Sequence, residues 1–114
     1  MIYFVFEPIQ TAIKAAQNVF PDLKAEIQFN PELGVAGVTT FPSDGSTPLI
    51  DINAGLPFYA AVEQIMHELA HVAVRTDEEH IDAWHRAHDA IKVEYQKLMN
   101  QEIDSYLEKT DKKS

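Results

Sequence analysis

The 114-residue chain contains no cysteine, which excludes disulfide bonds and thiolate metal sites. Any metal ion would therefore be bound by histidine and carboxylate side chains. No apolar run approaches the roughly 20 residues that a membrane-spanning helix needs. The apolar start, residues 1–6, lacks the basic leader of a signal peptide. These absences predict a chain with no membrane partner, and cytoplasmic localisation is the default expectation.

Basic residues are also scarce: 9 Lys and Arg stand against 18 Asp and Glu, giving a formal net charge of −9. Such a surface repels phosphate backbones, so we expect no direct nucleic-acid binding. A hydrophobic content of 46% is sufficient for one modest core. We therefore predict a single domain over residues 1–114, whose oligomeric state the composition leaves open.

The first half of the chain mixes helical and strand patterns. Apolar residues keep helical spacing between two prolines, and later segments alternate or are rich in β-branched residues. Ile2–Phe6 fits either a short strand or an extended lead-in. The other predicted elements are a helix with Pro8 in its first turn that runs to Val19, a strand at 25–29, and a hairpin of 35–41 and 49–52 around a turn-rich loop at 42–48.

The second half predicts two helices. The first spans about 57–75, opens with Pro57 at its first position and has a stripe of apolar residues on one face. A break at 76–79 supplies N-capping residues for the second helix, which should fray near Lys109. Its apolar seam predicts a buried Trp84 and, one turn on, a buried and hydrogen-bonded His88.

The first of these helices contains the sequence His67-Glu68-Leu69-Ala70-His71, an H-E-x-x-H motif. Histidines four residues apart share one helix face, with Cβ atoms about 5–6 Å apart, and can bind one zinc ion together. The adjacent Glu68 can take a proton from a water molecule activated by the metal. The motif therefore predicts zinc-assisted hydrolysis.

A catalytic zinc site needs a third protein ligand and keeps its fourth position for water. His80 is the leading candidate, because it follows His71 by nine residues, just past the predicted helix break. Carboxylates also bind zinc. Possible substitutes are Asp77, Glu78, Glu79 and Asp82.

The stretch from Leu49 through Trp84 resembles the SprT-like and WLM-type zinc metallopeptidases of the zincin group. It shares with them a strand and short turn before the H-E-x-x-H helix, a third histidine after a short loop, and an aromatic residue four positions beyond. In this chain the third histidine and the aromatic residue lie in His80-Ile81-Asp82-Ala83-Trp84.

The resemblance implies a minimal zincin-like α+β domain. Its small, mostly antiparallel sheet would pack on the H-E-x-x-H helix and on a long C-terminal helix. It also implies three histidine ligands to Zn²⁺ (His67, His71 and His80), with Glu68 as general base. The strand at 35–41 would pair with an extended protein or peptide substrate. Candidates for the donor to the transition-state oxyanion are His85, His88, Arg75 and Tyr59.

Two other functions compete with a peptidase. One is a zinc-binding domain that no longer cleaves and acts as a peptide-interaction or regulatory module. The other is a structural or interaction protein in which the motif is incidental. Glu68 favours the peptidase, because metal binding alone requires no base at that position.

Overall fold

The structure, a computed structural model, describes residues 1–76 and 81–111. Within these residues, three helices and a three-stranded mixed sheet form an α+β domain, which confirms the α+β class expected from the sequence; its zincin-like character stays a prediction. None of the described helices is both long and apolar enough to cross a membrane. In chain order the elements are α1 (Pro8–Val19), β1 (Glu26–Asn30), β2 (Gly37–Thr40), β3 (Leu49–Asn53), α2 (Phe58–Val74) and α3 (Asp82–Asp111).

Helix α1 begins where the sequence predicted. Pro8 occupies its first turn, where the missing N–H costs nothing, and the Glu7 carboxylate accepts hydrogen bonds from the next two free backbone N–H groups. The helix ends at Val19, ahead of Pro21. Its buried face consists of small residues, so α1 can pack closely against α2 and α3. These residues are Thr11, Ala12, Ala15 and Ala16.

The sheet is mixed, and the prediction of a mostly antiparallel sheet was wrong. Its strand order is β1-β3-β2; β3 runs parallel to β1 and antiparallel to β2. The hairpin of β2 and β3 was predicted; its loop spans 41–48, one residue longer than the predicted 42–48. The turn at 31–36 reverses the chain between β1 and β2, and the hairpin reverses it again. After two reversals β3 runs in the same direction as β1. Because β3 lies between the other two strands, it pairs with β1 in parallel.

One face of the sheet packs on the helices. Ile50 and Ile52 of β3 are fully buried, and Thr39 of β2 is 8% exposed on the same side. The alternate residue Asp51 lies on the opposite face, where it accepts a hydrogen bond from Gln28. Strand β2 lies at an edge of the sheet, and no other strand of the described residues pairs with its outer side.

Helix α2 is the centre of the domain. It contacts β2 and β3 on one side and α1 and α3 on the other. Its apolar stripe is buried as predicted, with Ile65 and Met66 fully enclosed. Pro57 is the N-cap residue rather than the first helical residue, and α3 continues past Lys109 to Asp111. Residues 1–6 form no strand, and Met1 to Phe4 are exposed, which fits the extended lead-in.

Candidate functional site

The H-E-x-x-H motif lies in the second half of α2, as the sequence predicted. His71 is 3% exposed and Glu68 is 4% exposed, whereas the side chain of His67 is 24% exposed. A solvated helix face would leave all three accessible. The motif therefore belongs to a partly enclosed site that opens at His67.

The two histidines lie close together on α2. Their Nε2 atoms are 3.3 Å apart. Two nitrogens that bind the same tetrahedral zinc at about 2.0–2.1 Å must lie roughly 3.3–3.4 Å from each other. The spacing of the two nitrogens therefore matches that of two ligands of one zinc ion.

The tautomer of His71 is fixed by the backbone that follows α2. Its Nδ1 lies 3.0 Å from the carbonyl oxygen of Thr76. A carbonyl oxygen can only accept, so Nδ1 must donate, and in the neutral ring Nε2 then has a bare lone pair. This arrangement, in which the far nitrogen is anchored to a carbonyl, orients a histidine for metal binding.

Trp84 forms one wall of the site. Its indole Nε1 donates to the backbone carbonyl of His67 at 3.1 Å. Its ring centroid lies 4.7 Å from that of His67 and 5.5 Å from that of His71. Trp84 is 4% exposed, which confirms its predicted burial. It thereby fixes the start of α3 against the part of α2 that bears both histidines.

Glu68 faces the sheet rather than solvent, which excludes an ordinary surface glutamate. Its Oε1 accepts a hydrogen bond from the Thr39 hydroxyl, and its Oε2 accepts one from the Gln64 amide, both at 2.7 Å. The same Oε2 lies 3.9 Å from His67 Nε2. The carboxylate is therefore held beside the histidine pair, at a position suited to a proton acceptor.

The third ligand falls on residues that lie outside the described part of the chain. These are the leading candidate His80 and its possible substitutes Asp77, Glu78 and Glu79. Among the described residues, no group of three or more histidine or acidic side chains could hold a metal ion. Asp82 is described and does not complete such a group. The prediction of a third ligand at 77–80 therefore stays a prediction; all four residues there are potential zinc ligands by type.

His88 packs against the site without joining the histidine pair. Its ring stacks on Trp84 at a centroid distance of 4.7 Å and an angle of 18°. Burial, and next the positive charge of Lys92, lower the pKa of His88 below its ordinary value. Its Nε2 is buried and has no hydrogen-bond partner among the described residues. His88 therefore differs from the hydrogen-bonded core histidine expected from the sequence.

The other candidate oxyanion donors are surface residues. Tyr59 is 75% exposed, and Arg75 and His85 are exposed as well. Burial does not single out one of these three, so the oxyanion donor stays a prediction.

Three residues at the site were not found from the sequence: Thr39, Gln64 and Gly37. Thr39 and Gln64 bind Glu68, and Gly37 leaves room for the side chains of Gln64 and Glu68. A Cβ on Gly37 would lie 2.8 Å from Gln64 Cγ and 3.2 Å from Glu68 Oε2. The one available signal was Gln64, which precedes Glu68 by four residues and so shares its helix face. Thr39 and Gly37 lie on β2 and meet α2 only through tertiary packing, so no local sequence pattern predicts their position at the site.

Comparisons of this chain with protein-family models, with curated proteins and with solved structures give no match. The resemblance to SprT-like and WLM-type peptidases therefore stays a prediction that rests on the motif residues.

Proposed function

We propose that this chain is a zinc-dependent peptidase that hydrolyses peptide bonds in an extended polypeptide. His67, His71 and His80 would hold the metal, and Glu68 would act as general base. The observation that supports this proposal is one geometry: two histidine Nε2 atoms 3.3 Å apart, with a buried carboxylate oxygen 3.9 Å from one of them.

The roles of the residues follow from their chemistry. A zinc ion supplies Lewis-acid chemistry, because it lowers the pKa of a water molecule toward about 7 and polarises a carbonyl group. Glu68 accepts the proton of the attacking water at Oε2 and returns it to the leaving amine. Each carboxylate oxygen has two lone pairs, so the bonds from Thr39 and Gln64 leave acceptor capacity on both oxygens.

The edge strand β2 supports a peptide as substrate. The strand consists of Gly37 to Thr40, and its Thr39 hydroxyl donates a hydrogen bond to Glu68. No other strand of the described residues pairs with its outer side. An extended peptide that adds to this edge gains main-chain hydrogen bonds next to the base. Globular substrates would first have to expose such a segment.

Metal content and the Glu68→Gln variant test the proposal. We expect close to one zinc per chain by elemental mass spectrometry, and cleavage of a fluorescently labelled unfolded protein that a chelator abolishes. Glu68→Gln should keep zinc and lose cleavage. Glu63→Gln on the same helix is the matched control, because its side chain is 55% exposed and should be neutral. Absence of zinc uptake, or full activity of Glu68→Gln, would refute the mechanism.

Single substitutions in 77–80 would identify the third ligand. We expect His80→Ala to raise the zinc dissociation constant more than about tenfold, because it removes one of three protein ligands. Asp77→Asn, Glu78→Gln and Glu79→Gln should each change it less than about threefold, since surface charges act weakly. A large effect at one of these carboxylates, with His80→Ala silent, would transfer the ligand role to that carboxylate.

A zinc-binding peptide module without catalysis is the second candidate. The hydrogen bonds that Glu68 accepts from Thr39 and Gln64 would also suit a glutamate that only ties β2 to α2. For such a module we expect zinc and peptide binding without cleavage by the wild-type protein. Glu68→Gln would then bind peptide as well as the wild type does.

A further inference from the structure

Glu68 is buried, and no lysine or arginine among the described residues pairs with it. It is 4% exposed, and its single ion-pair contact among the described residues is His67, at 3.9 Å. Burying a carboxylate costs free energy, and two neutral hydrogen bonds offset only part of this cost. An apolar side chain of similar size would join α2 to the sheet more favourably. The burial of this carboxylate therefore calls for a reason other than stability.

The two donors come from different elements and bind different oxygens. Gln64 lies one turn earlier on α2 and binds Oε2, whereas Thr39 reaches from β2 and binds Oε1. Two bonds to two oxygens fix the plane of the carboxylate, whereas one bond would let it rotate. Oε2, the oxygen nearer to His67, is thereby held toward the histidine pair.

In strand β2, the residues on the face toward α2 accommodate this contact. Thr39 faces α2 at 8% exposure, while its neighbours Val38 and Thr40 are exposed. Two residues before Thr39, on the same face, stands Gly37, where any Cβ would collide with Gln64. Valine would fill the place of Thr39 equally well in a strand, so the hydroxyl is the feature that needs an explanation.

We propose that Thr39 and Gln64 are positioning residues that hold the Glu68 carboxylate in its proton-accepting orientation. Thr39 thereby links the base to the strand to which the peptide would add. This inference rests on the proposed function. The side chains of both residues bind Glu68, and both act through it.

Thr39→Val tests the inference, because valine keeps the shape of threonine and removes the donor. We expect kcat to fall about 10- to 100-fold, the range found when outer hydrogen-bond partners of a metal site are removed. KM and the zinc dissociation constant should change less than about threefold. Thr39→Ser keeps the hydroxyl and should recover kcat to within about threefold. Thr47→Val, at an exposed position in the loop between β2 and β3, is the matched control and should be silent.

Gln64→Met is the second variant, in case Thr39→Val fails to fold. It keeps the length of the side chain, removes the amide donor and should lower kcat in the same way. Wild-type kcat in either variant, or Thr39→Ser no better than Thr39→Val, would overturn the positioning role while the peptidase proposal stands. A wild-type protein that binds zinc and cleaves nothing would instead refute the proposed function, and the positioning role with it.

Discussion

Gly37→Ala is the sharpest test of the packing between β2 and α2. A Cβ at this position would lie 2.8 Å from Gln64 Cγ, 3.0 Å from Gln64 Nε2 and 3.2 Å from Glu68 Oε2. Cγ is close to the root of the Gln64 side chain and cannot move far without a new rotamer. The added methyl group must therefore displace either β2 or the whole glutamine side chain.

The two responses have comparable costs. Overpacking that shifts the backbone typically costs about 1–3 kcal/mol. Rotation of Gln64 away from Glu68 breaks a hydrogen bond to a charged group, which contributes about 1.5–3 kcal/mol. We therefore expect the free energy of unfolding to fall by about 1–3 kcal/mol. For a domain of this size that corresponds to a Tm lower by about 4–12 °C.

Urea denaturation of four variants separates this clash from a general effect of alanine. Gly34→Ala is the control, because nothing lies within 4 Å of its Cβ position, and it should be neutral within about 0.5 kcal/mol. Gln64→Ala removes both colliding glutamine atoms. The double variant Gly37→Ala/Gln64→Ala should thus be more stable than the sum of the single effects predicts, by about 1–2 kcal/mol. Additive effects, or a neutral Gly37→Ala, would refute the described packing.

Three further predictions follow from single contacts. Trp84→Phe keeps an aromatic ring but removes the donor to the His67 carbonyl. We expect the free energy of unfolding in urea to fall by about 1 kcal/mol and zinc binding to weaken several-fold. Unchanged values for both would contradict the role of this hydrogen bond. The pKa of His88 is lowered in the folded protein by burial and by Lys92, so its stabilising effect should be complete above about pH 6.5 and be lost as the pH falls. In metal-free protein, the fall in Tm between about pH 7.5 and 5.5 should therefore be smaller for His88→Gln than for the wild type. An equal fall in both proteins would contradict this role of His88. Ile65→Ala, at a fully buried position, should lower the free energy of unfolding by about 2–4 kcal/mol. A loss below about 1 kcal/mol would contradict the burial of Ile65 in the core.

Local patterns predicted the parts of the fold that depend on neighbours in sequence. The apolar stripe of α2 and the seam of α3 follow the 3.6-residue period, so the helices and the burial of Trp84 could be predicted. Pro8 and Pro21 bracket α1 because proline constrains the backbone directly. The same reasoning placed His67 and His71 on one side of α2, since four residues make about one turn.

The order of the strands could not be predicted in this way. Alternation of apolar and polar residues shows which face of a strand is buried, but not which strand lies beside it. The insertion of β3 between β1 and β2 depends on packing across the whole sheet. For the same reason the bond between Thr39 and Glu68, 29 residues apart, has no local signature. Threonine is common in strands for its shape alone, so its hydroxyl attracts no notice in the sequence.

The turn at the end of α2 joins the folding of the helix to the chemistry of the motif. Arg75 takes the left-handed conformation, with φ 56° and ψ 40°, and its N–H and that of Thr76 satisfy the last carbonyls of α2. The same turn brings the Thr76 carbonyl to His71 Nδ1. The turn that ends α2 therefore also sets the tautomer of His71. The next four residues along the chain, 77–80, are all potential ligands, so the chain leaves α2 directly into the segment from which a third ligand would come.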